Sequence, residues 1–405
     1  MKDLKKKRVI VSIDPGYDGT KVTVNGSRFS IPKKTIKKIG NEYETTGTLA
    51  GIYEVKTAEG VFICGENIKA LINNNEDLHE RFDKGSDQNG NYSYFNTAEF
   101  RANTLAAIGI ALEKAVRAGI IDDAEKADLY VVVTLPHTAL DSMHNAVKMI
   151  TGKQNFTISG DFTRLPGDTE DSADTSTEIS FNIEIKQDGE HFIVISQVIA
   201  CLLGYITDED GYEMDNLKDA YNVIVIDGGY YTVGDFEIDK TKAISKAKSK
   251  TAYGMMKIHE ITAAKINEIC QRKYKDYNPD LKYYDMDSLF DEDNGEIIIP
   301  RVYTESGKNE VFNATETLQA VVKDVFNEYL AYLEDEYNYF ARTKTILFGG
   351  GTGKIYYDLY MELAAQNYPN VKAVLVTYTL DGNSVTPREA ISAGAYKMML
   401  NRLDD

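Results

Sequence analysis

Cysteine and histidine are scarce in this chain of 405 residues, with 3 and 5 copies, and tryptophan is absent. Cys64, Cys201 and Cys270 are scattered and odd in number, with no CxxC or Cys/His spacing, which excludes a disulfide framework and a zinc site of that kind. They are expected to be reduced and buried as small apolar groups. The histidines form no HExxH or other paired-ligand spacing, and no GxSxG nucleophile turn occurs. No apolar run reaches the roughly 18 residues needed to cross a bilayer. The basic start, Met1-Lys2-Asp3-Leu4-Lys5-Lys6-Lys7-Arg8, leads straight into a strand pattern, without a signal-peptide apolar region or cleavage site. The expected location is the cytoplasm, with no membrane contact. Basic residues are outnumbered, 45 against 63, giving a net charge of −18. A field of that sign opposes direct, nonspecific binding to DNA phosphates.

What the chain does have is a repeated motif. Val9-Ile10-Val11-Ser12-Ile13 runs into Asp14-Pro15-Gly16-Tyr17, and Val223-Ile224-Val225-Ile226 runs into Asp227-Gly228-Gly229-Tyr230. Each is followed by a second strand-like run, at 20–24 and 232–238. A carboxylate ending one buried strand is common; two copies, each opening a glycine turn, indicate a duplicated unit able to close on a phosphate chain from two sides.

The rest of the chain repeats in the same order. Strands are expected at 8–14, 20–24 and 28–32, with Asn25-Gly26 as a hairpin turn. A helix is expected over 97–118, where Leu105, Ile108, Leu112 and Val116 recur at helical spacing before Gly119. A strand (129–134), a helix with Leu140, Met143, Val147 and Ile150, and an acidic loop (160–178) follow, after an earlier polar loop at 73–96. Residues 179–186 and 191–195 read as a hairpin around Gln187-Asp188-Gly189-Glu190, leading into a helix from Ser196. The second half gives strands at 223–226, 232–238 and 242–249 and a helix at 255–269. After a charged, tyrosine-rich insert come a helix at 315–340, a strand at 345–348, a helix from Ile355 and a strand at 373–377. The last helix opens on a capping box, Thr386-Pro387-Arg388-Glu389. The fold class is α/β.

Three glycine sites carry the chemistry. In Asp14-Pro15-Gly16-Tyr17-Asp18-Gly19-Thr20-Lys21, Gly16 and Gly19 permit a turn whose N–H groups can face an anion. Lys21 can place a cation on phosphates, and Asp14 can hold Mg²⁺, through water since that ion keeps much of its hydration shell. Asp227-Gly228-Gly229-Tyr230 is a second such turn. Gly349-Gly350-Gly351-Thr352-Gly353-Lys354 joins a strand to a helix, where glycines let a ring or phosphate approach the backbone. It departs from the Walker A pattern at Ile355 and from GxGxxG spacing. An ordinary hairpin or strand–helix turn would explain each site alone.

Together the three sites resemble the actin/Hsp70/sugar-kinase ATPase superfamily, and the resemblance covers the whole chain in order. Val194-Ile195-Ser196-Gln197-Val198-Ile199-Ala200 resembles the first connecting helix of actin and Ile391-Ser392-Ala393-Gly394-Ala395-Tyr396 the second. With Leu135-Pro136, the glycine triplet and the length, the chain looks most similar to bacterial actin-like plasmid-segregation proteins of the ParM type. That resemblance implies duplicated ribonuclease-H-like domains around a nucleotide cleft, each with a smaller inserted subdomain. Domain I would span 1–203, with its subdomain at about 33–95 and the last helix, 387–402, returning to it; domain II would span 204–386, with a subdomain at about 271–310. It also implies slow ATP or GTP hydrolysis with Mg²⁺ as cofactor, coupled to polymerisation into filaments that segregate plasmid DNA. The partners would be other copies of the chain and a DNA-binding adaptor on a plasmid centromere.

Residue by residue, Asp14 and Asp227 would flank Mg²⁺ and the phosphates, and Gln197 would orient the attacking water. Gly16, Tyr17, Asp18, Gly19, Lys21, Gly228, Gly229 and Tyr230 would line the phosphates. Gly254 would back the nucleotide, and Gly349, Gly350, Gly351, Thr352 and Lys354 would border its base. Tyr17 stands where the family commonly has Ser or Thr, and Tyr230 and Tyr231 crowd the second turn, which shifts phosphate binding toward backbone N–H groups. A small-molecule kinase of the same superfamily is the alternative, although no sugar-kinase signature is present. With Asp405 just past the second connecting helix, no Hsp70-type peptide-binding domain is expected. The acidic stretches Asp285-Met286-Asp287 and Asp291-Glu292-Asp293-Asn294-Gly295 lack EF-hand spacing and read as solvated loop. The alternating Lys246, Lys248 and Lys250 read as a solvated strand face.

Overall fold

The apolar run that ends at Asp14 becomes an interior strand, buried along almost its whole length. The computed structural model describes residues 8–16, 19–31, 35–38, 52–65, 93–168, 177–214, 222–239, 247–273, 279–291, 296–303 and 309–404. Tyr17, Asp18, Lys246 and residues 73–92 and 169–176 of the two expected loops lie outside them. The chain divides into two compact units: Met1–Asp219 with Lys246–Lys248 and Val376–Asp405, and Ala220–Ser245 with Ser249–Leu375.

In the first unit the strands are β1 (Arg8–Pro15), β2 (Thr20–Val24), β3 (Ser27–Ile31), β4 (Thr35–Lys37), β5 (Ile52–Thr57), β6 (Gly60–Gly65), β7 (Asp128–Leu135), β8 (Gly152–Gly160), β9 (Glu178–Ile185) and β10 (Phe192–Ser196). The helices are α1 (Ala98–Arg117), α2 (Met143–Ile150) and α3 (Gln197–Ile206). A division at 203/204 would cut α3.

The first sheet has the order β3-β2-β1-β7-β10, antiparallel among the first three strands and parallel among β1, β7 and β10. Its central strands are apolar on both faces because both faces are covered. Asn25 (φ 44°) and Gly26 (φ 85°) make the left-handed two-residue turn between β2 and β3. Thr97 caps α1 by accepting the Phe100 N–H at 3.1 Å.

The second sheet of this unit, β4-β6-β5-β8-β9, is antiparallel throughout. It corrects the expected hairpin at 179–195. β9 alternates exposed and buried residues and pairs with β8, whereas β10 pairs in parallel with β7 in the first sheet. The two strands have different burial patterns, a half-solvated one and a largely apolar one, and so join different sheets. The Asp188 carboxylate accepts the Glu190 and His191 N–H groups, turning the chain between them.

The second unit contains β11 (Val223–Gly228), β12 (Val233–Ile238), β13 (Lys248–Lys250), β14 (Phe290–Asp291), β15 (Glu296–Tyr303), β16 (Asn309–Asn313), β17 (Thr345–Gly349) and β18 (Lys372–Leu375). Its helices are α4 (Met255–Lys273), α5 (Met286–Leu289), α6 (Thr315–Glu336) and α7 (Gly351–Leu363). The main sheet, β13-β12-β11-β17-β18, repeats the strand order of the first unit, again with β11 antiparallel to β12 and parallel to β17. Four residues separate the first two strands in both, 16–19 and 229–232. The insert folds β14, β15 and β16 into a small sheet around Ile266, Cys270, Met286, Ile297 and Ile299.

Helix α6 ends at Glu336, short of the expected 340. Asn338, Tyr339 and Phe340 follow with φ of 47°, 52° and 58°. Left-handed backbone costs an L-residue roughly 1 to 2 kcal/mol, and Asn is the one of the three that adopts it readily. Two anchors hold the turn: the Tyr337 hydroxyl donates to the buried Asp235 carboxylate at 2.5 Å, and the Phe340 ring meets Tyr368 edge-on at 4.8 Å. The half-buried Lys250, expected in solvent, places Nζ 5.1 Å from the Tyr332 ring.

The chain then returns to the first unit as β19 (Tyr378–Leu380), β20 (Asn383–Val385) and α8 (Ala390–Asp404). The Glu389 carboxylate accepts the Thr386 N–H at 3.0 Å, as the capping box requires, with the helix beginning at Ala390. Thr20 bonds to Asn103 of α1 and Thr23 to Ser392 of α8. Strand residues three apart face opposite ways, so α1 and α8 cover opposite faces of the sheet.

Candidate functional site

The C-terminal ends of β1, β7 and β10 bring three side chains together in the first unit. Asp14, 3% exposed, is the penultimate residue of β1. Its Oδ1 accepts from Thr134 Oγ1 of β7 at 2.9 Å and from Gln197 Nε2, at the first position of α3, at 2.8 Å. Strand pairing explains the convergence: Ile13 lies beside Val133, and Leu135 beside Ser196. Both donors polarise the same carboxylate oxygen. With its N–H₂ committed to Asp14, the Gln197 amide is held in one orientation, leaving its carbonyl oxygen as the acceptor end.

Lys21 sits opposite Asp14 in the β1–β2 register and is 9% exposed. Its Nζ lies against the turn: a Cβ added at Gly16 would come within 2.7 Å of it and 3.1 Å of the Gly19 carbonyl oxygen. The lysine therefore occupies space that any side chain at position 16 would take. Tyr17 and Asp18, also assigned to this turn, lie outside the described residues.

In the second unit the other glycine sites meet one another. A Cβ at Gly228, ending β11, would lie 2.2 Å from the Gly353 nitrogen in the first turn of α7. Gly350, with φ 78°, would meet the Gly228 carbonyl oxygen at 2.4 Å and Asp227 Oδ1 at 2.8 Å. Thr352 Oγ1 donates to the Gly229 carbonyl at 2.9 Å. Gly254 passes so close that its Cβ would meet the Tyr231 and Tyr230 carbonyl oxygens at 2.5 and 2.7 Å. This packing makes α7 begin at Gly351 rather than at Ile355. The residues 350–354 thus stand at a helix N-terminus, whose N–H groups favour anions. Gly351 differs from its neighbours: an added Cβ would meet nothing within 4 Å, so protein packing does not demand a glycine there.

Other assigned residues point elsewhere. Lys354 is exposed and donates to Asp358 one turn along α7 at 2.9 Å. The Tyr230 ring stands edge-on to His259 of α4, with centroids 5.7 Å apart. Gly349 pairs with Asp227 across the parallel strands.

Sequence reasoning missed Thr134 and His137. A hydroxyl one residue before Leu135-Pro136, at the end of a buried strand, was the available signal for Thr134. His137 Nδ1 lies 3.2 Å from Ser196 Oγ, the residue before Gln197, and ties the start of α3 to the turn after β7. Burial pushes its pKa down from the ordinary 6.5, keeping the ring neutral at pH 7.

A second charged side chain fixes the other end of α3. Lys397 of α8, 1% exposed, donates to the Gly204 and Thr207 carbonyl oxygens at 3.0 and 2.9 Å and lies 3.9 Å above the Tyr378 ring. Burial pulls its pKa down to about 8, with Asp208 and Glu209 acting in the opposite direction. Between about 8 and the unfolded value near 10.5 the unfolded chain binds the extra proton, so this group adds stability as pH rises through that window. The stability of the native protein relative to Lys397→Met should therefore rise from pH 8 to pH 10.5; denaturant titrations showing a pH-independent difference would refute it.

The buried Cys64 thiol, pushed up to about 12 by burial, is inert. Asp285 serves a backbone cap, accepting the Lys282 N–H at 2.7 Å. Among the described residues no cluster of three or more His, Cys, Asp or Glu could hold a metal ion by itself, and no helix is long and apolar enough to cross a membrane.

No family model and no curated protein matches the sequence. Solved structures do. The actin-like protein Alp7A aligns at 12% identity over 98% of this chain and 97% of its own, with a TM-score of 0.60. ParM of Clostridium botulinum, solved as a 15-stranded filament, aligns at 14% identity over 97% and 99%, with a TM-score of 0.57. Bacillus thuringiensis ParM with AMPPNP aligns at 12% over 98% and 99%, with a TM-score of 0.53. Two α/β units whose main sheets match in strand order, each with a second sheet, and alignment over nearly the whole length of these structures give this chain the actin-like fold.

Proposed function

We propose that this chain binds a nucleoside triphosphate, ATP or GTP, hydrolyses it slowly, and assembles into filaments that segregate plasmid DNA through a DNA-binding adaptor. The observation that carries the reading is the hydrogen bond from Gln197 to Asp14 at the end of β1. It supports the Gln197 carbonyl as an orienting group for water, beside a carboxylate suited to hydrated Mg²⁺. An amide is too weak a base to take the water's proton in full, so orientation is its contribution and turnover is slow.

The residues present fit an Mg²⁺-nucleotide. Lys21 Nζ lies where a Cβ at Gly16 would come, protein backbone lies where a Cβ at Gly228 or Gly350 would come, and Asp14 and Asp227 are oxygen donors of the kind Mg²⁺ takes. When bound, Mg²⁺ neutralises phosphate charge. Each unit's own groups suit phosphate: in the first, Lys21 by charge and the turn N–H groups by hydrogen bonding; in the second, the α7 N-terminus by its dipole. A filament and an AMPPNP complex among the structures of the same fold favour assembly and nucleotide binding here.

Right-angle light scattering and sedimentation with ATP or GTP and Mg²⁺ test the reading. Polymer that forms with triphosphate and decays as it is hydrolysed is the expected result; no polymer across nucleotides and salts would sink it. Asp227→Ala should retain the far-ultraviolet circular dichroism of the native protein and lose about tenfold or more in phosphate release. Unchanged release would remove Asp227 from the site.

A further inference from the structure

The turn after β7 and the start of α3 are tied together twice. Thr134, near the end of β7, donates to Asp14 Oδ1, which also accepts from Gln197. Three residues on, His137 Nδ1 and Ser196 Oγ share a hydrogen bond at 3.2 Å. Ser196 directly precedes Gln197, so the bonds close a ring that runs from Asp14 through Thr134, His137, Ser196 and Gln197 back to Asp14. Pro136, with φ −50°, stiffens the span between Thr134 and His137. The Leu135-Pro136 pair thereby serves as a spacer of fixed shape.

Ser196 forgoes the bond its place in the chain invites. It is the N-cap residue of α3, with extended backbone (φ −70°, ψ 135°), and serine is among the strongest capping side chains. Its hydroxyl nevertheless makes no bond to the first N–H groups of α3. The hydroxyl is committed to His137 and, at 1% exposure, is shut off from solvent. Helix formation alone would be better served by the cap. A hydroxyl drawn from its local bond by a partner 59 positions away instead fixes where the helix starts.

Resting on the reading of Gln197 as the group that orients the attacking water, we propose that His137 and Ser196 are positioning residues for nucleotide hydrolysis, acting through Gln197. Asp14 holds the amide end of the Gln197 side chain, and the His137–Ser196 bond holds its backbone end. With both ends held, the amide carbonyl has one direction. Release of Ser196 frees its hydroxyl to cap α3, and the first turn of the helix, Gln197 included, shifts with it. A displacement of about 1 Å in an orienting group slows chemistry without loosening the bound nucleotide.

Ser196→Ala separates this role from folding. It removes one oxygen and no cap bond, so its thermal midpoint should stay within about 4 °C of the native value. Its kcat for triphosphate hydrolysis, read by single-turnover phosphate release, should fall about tenfold, with nucleotide affinity held within about twofold. His137→Phe keeps a ring, loses the nitrogen and should show the same fall. His137→Asn, whose side-chain amide reaches the place of Nδ1, should recover most of the rate. The double variant Ser196→Ala/His137→Phe should be no slower than either single one, because both remove the same bond. Native kcat in Ser196→Ala, losses that multiply in the double variant, no recovery in His137→Asn, or a loss in affinity rather than kcat would overturn the inference. If His137→Phe does not fold, Ser196→Ala decides alone. A native protein that neither binds nor hydrolyses ATP or GTP would overturn the nucleotide reading, and this inference with it; native hydrolysis matched by Ser196→Ala would overturn this inference only.

Discussion

Gln197→Ala should slow nucleoside-triphosphate hydrolysis by about 10²-fold, with nucleotide binding held within a few-fold. One bond determines the size of this effect. The Gln197 N–H₂ is fixed on Asp14 Oδ1 at 2.8 Å, so the side chain is already oriented and meets no reorganisation cost at the moment of reaction. On the proposed reading, its removal would take away the group that orients the attacking water and leave the proposed phosphate contacts of Lys21 and the glycine turns in place. That separation predicts a loss in kcat rather than in affinity. Thr134→Val, which removes the other donor to the same oxygen, should cost less, because Asp14 keeps its bond from Gln197. Filaments of Gln197→Ala should outlive those of the native protein by about the factor lost in hydrolysis. Single-turnover phosphate release measures the first quantity and depolymerisation after dilution the second. Release at the native rate would remove Gln197 from its assigned role.

Gly394→Ala should destabilise the first unit by about 3 kcal/mol or more. The opposite sign is the naive expectation, since alanine in a helix interior gains up to about 1 kcal/mol over glycine. Packing decides the matter. A Cβ at Gly394 of α8 would lie 2.0 Å from the Ala200 carbonyl oxygen and 2.8 Å from the Gly204 nitrogen of α3. Both are helix backbone, so no side chain can rotate away and the helices must separate. Separation would also pull Lys397 from the Gly204 and Thr207 carbonyls, leaving buried acceptors unpaired. Denaturant titration of Gly394→Ala beside a Gly351→Ala control, whose added methyl meets nothing within 4 Å, measures the difference. Equal midpoints for the two variants would refute the close crossing of α3 and α8.

The role proposed for Gln197 depends on the same crossing. Gln197 opens α3, and Lys397, Tyr378 and Gly394 fix the far end of that helix. A helix held at both ends keeps its first side chain at a set distance from β1. The sequence patterns marked Gln197 and Gly394 separately, in two stretches nearly 200 residues apart, without showing that they belong to one packed pair.

Much of the chain was legible because its signals are local. The apolar runs before Asp14 and Asp227, the Asn25-Gly26 turn and the Thr386 to Glu389 cap depend on neighbours within a few residues. The repeated order of strands and helices disclosed the duplication for the same reason. The strand 152–160 and the placement of β9 were not legible, because alternating burial tells that a strand is half-covered but not which sheet covers it. The start of α7 was misread because glycine is a poor helix former, and the contact that stabilises it, Gly228 on Gly353, spans 125 positions.

By itself, then, the sequence determined that two glycine turns end two buried strands, each with an aspartate, and that two α/β units follow one another. Tertiary structure alone decided that Thr134 and Gln197 share one oxygen of Asp14. It also decided that Gly228 and Gly350 have no room for a side chain, and that Tyr339 is thrust outward from a left-handed turn. Hydrogen-bond partners and steric clearances are set by which strand ends lie side by side, and that is fixed by sheet order, a property of the whole unit rather than of any segment.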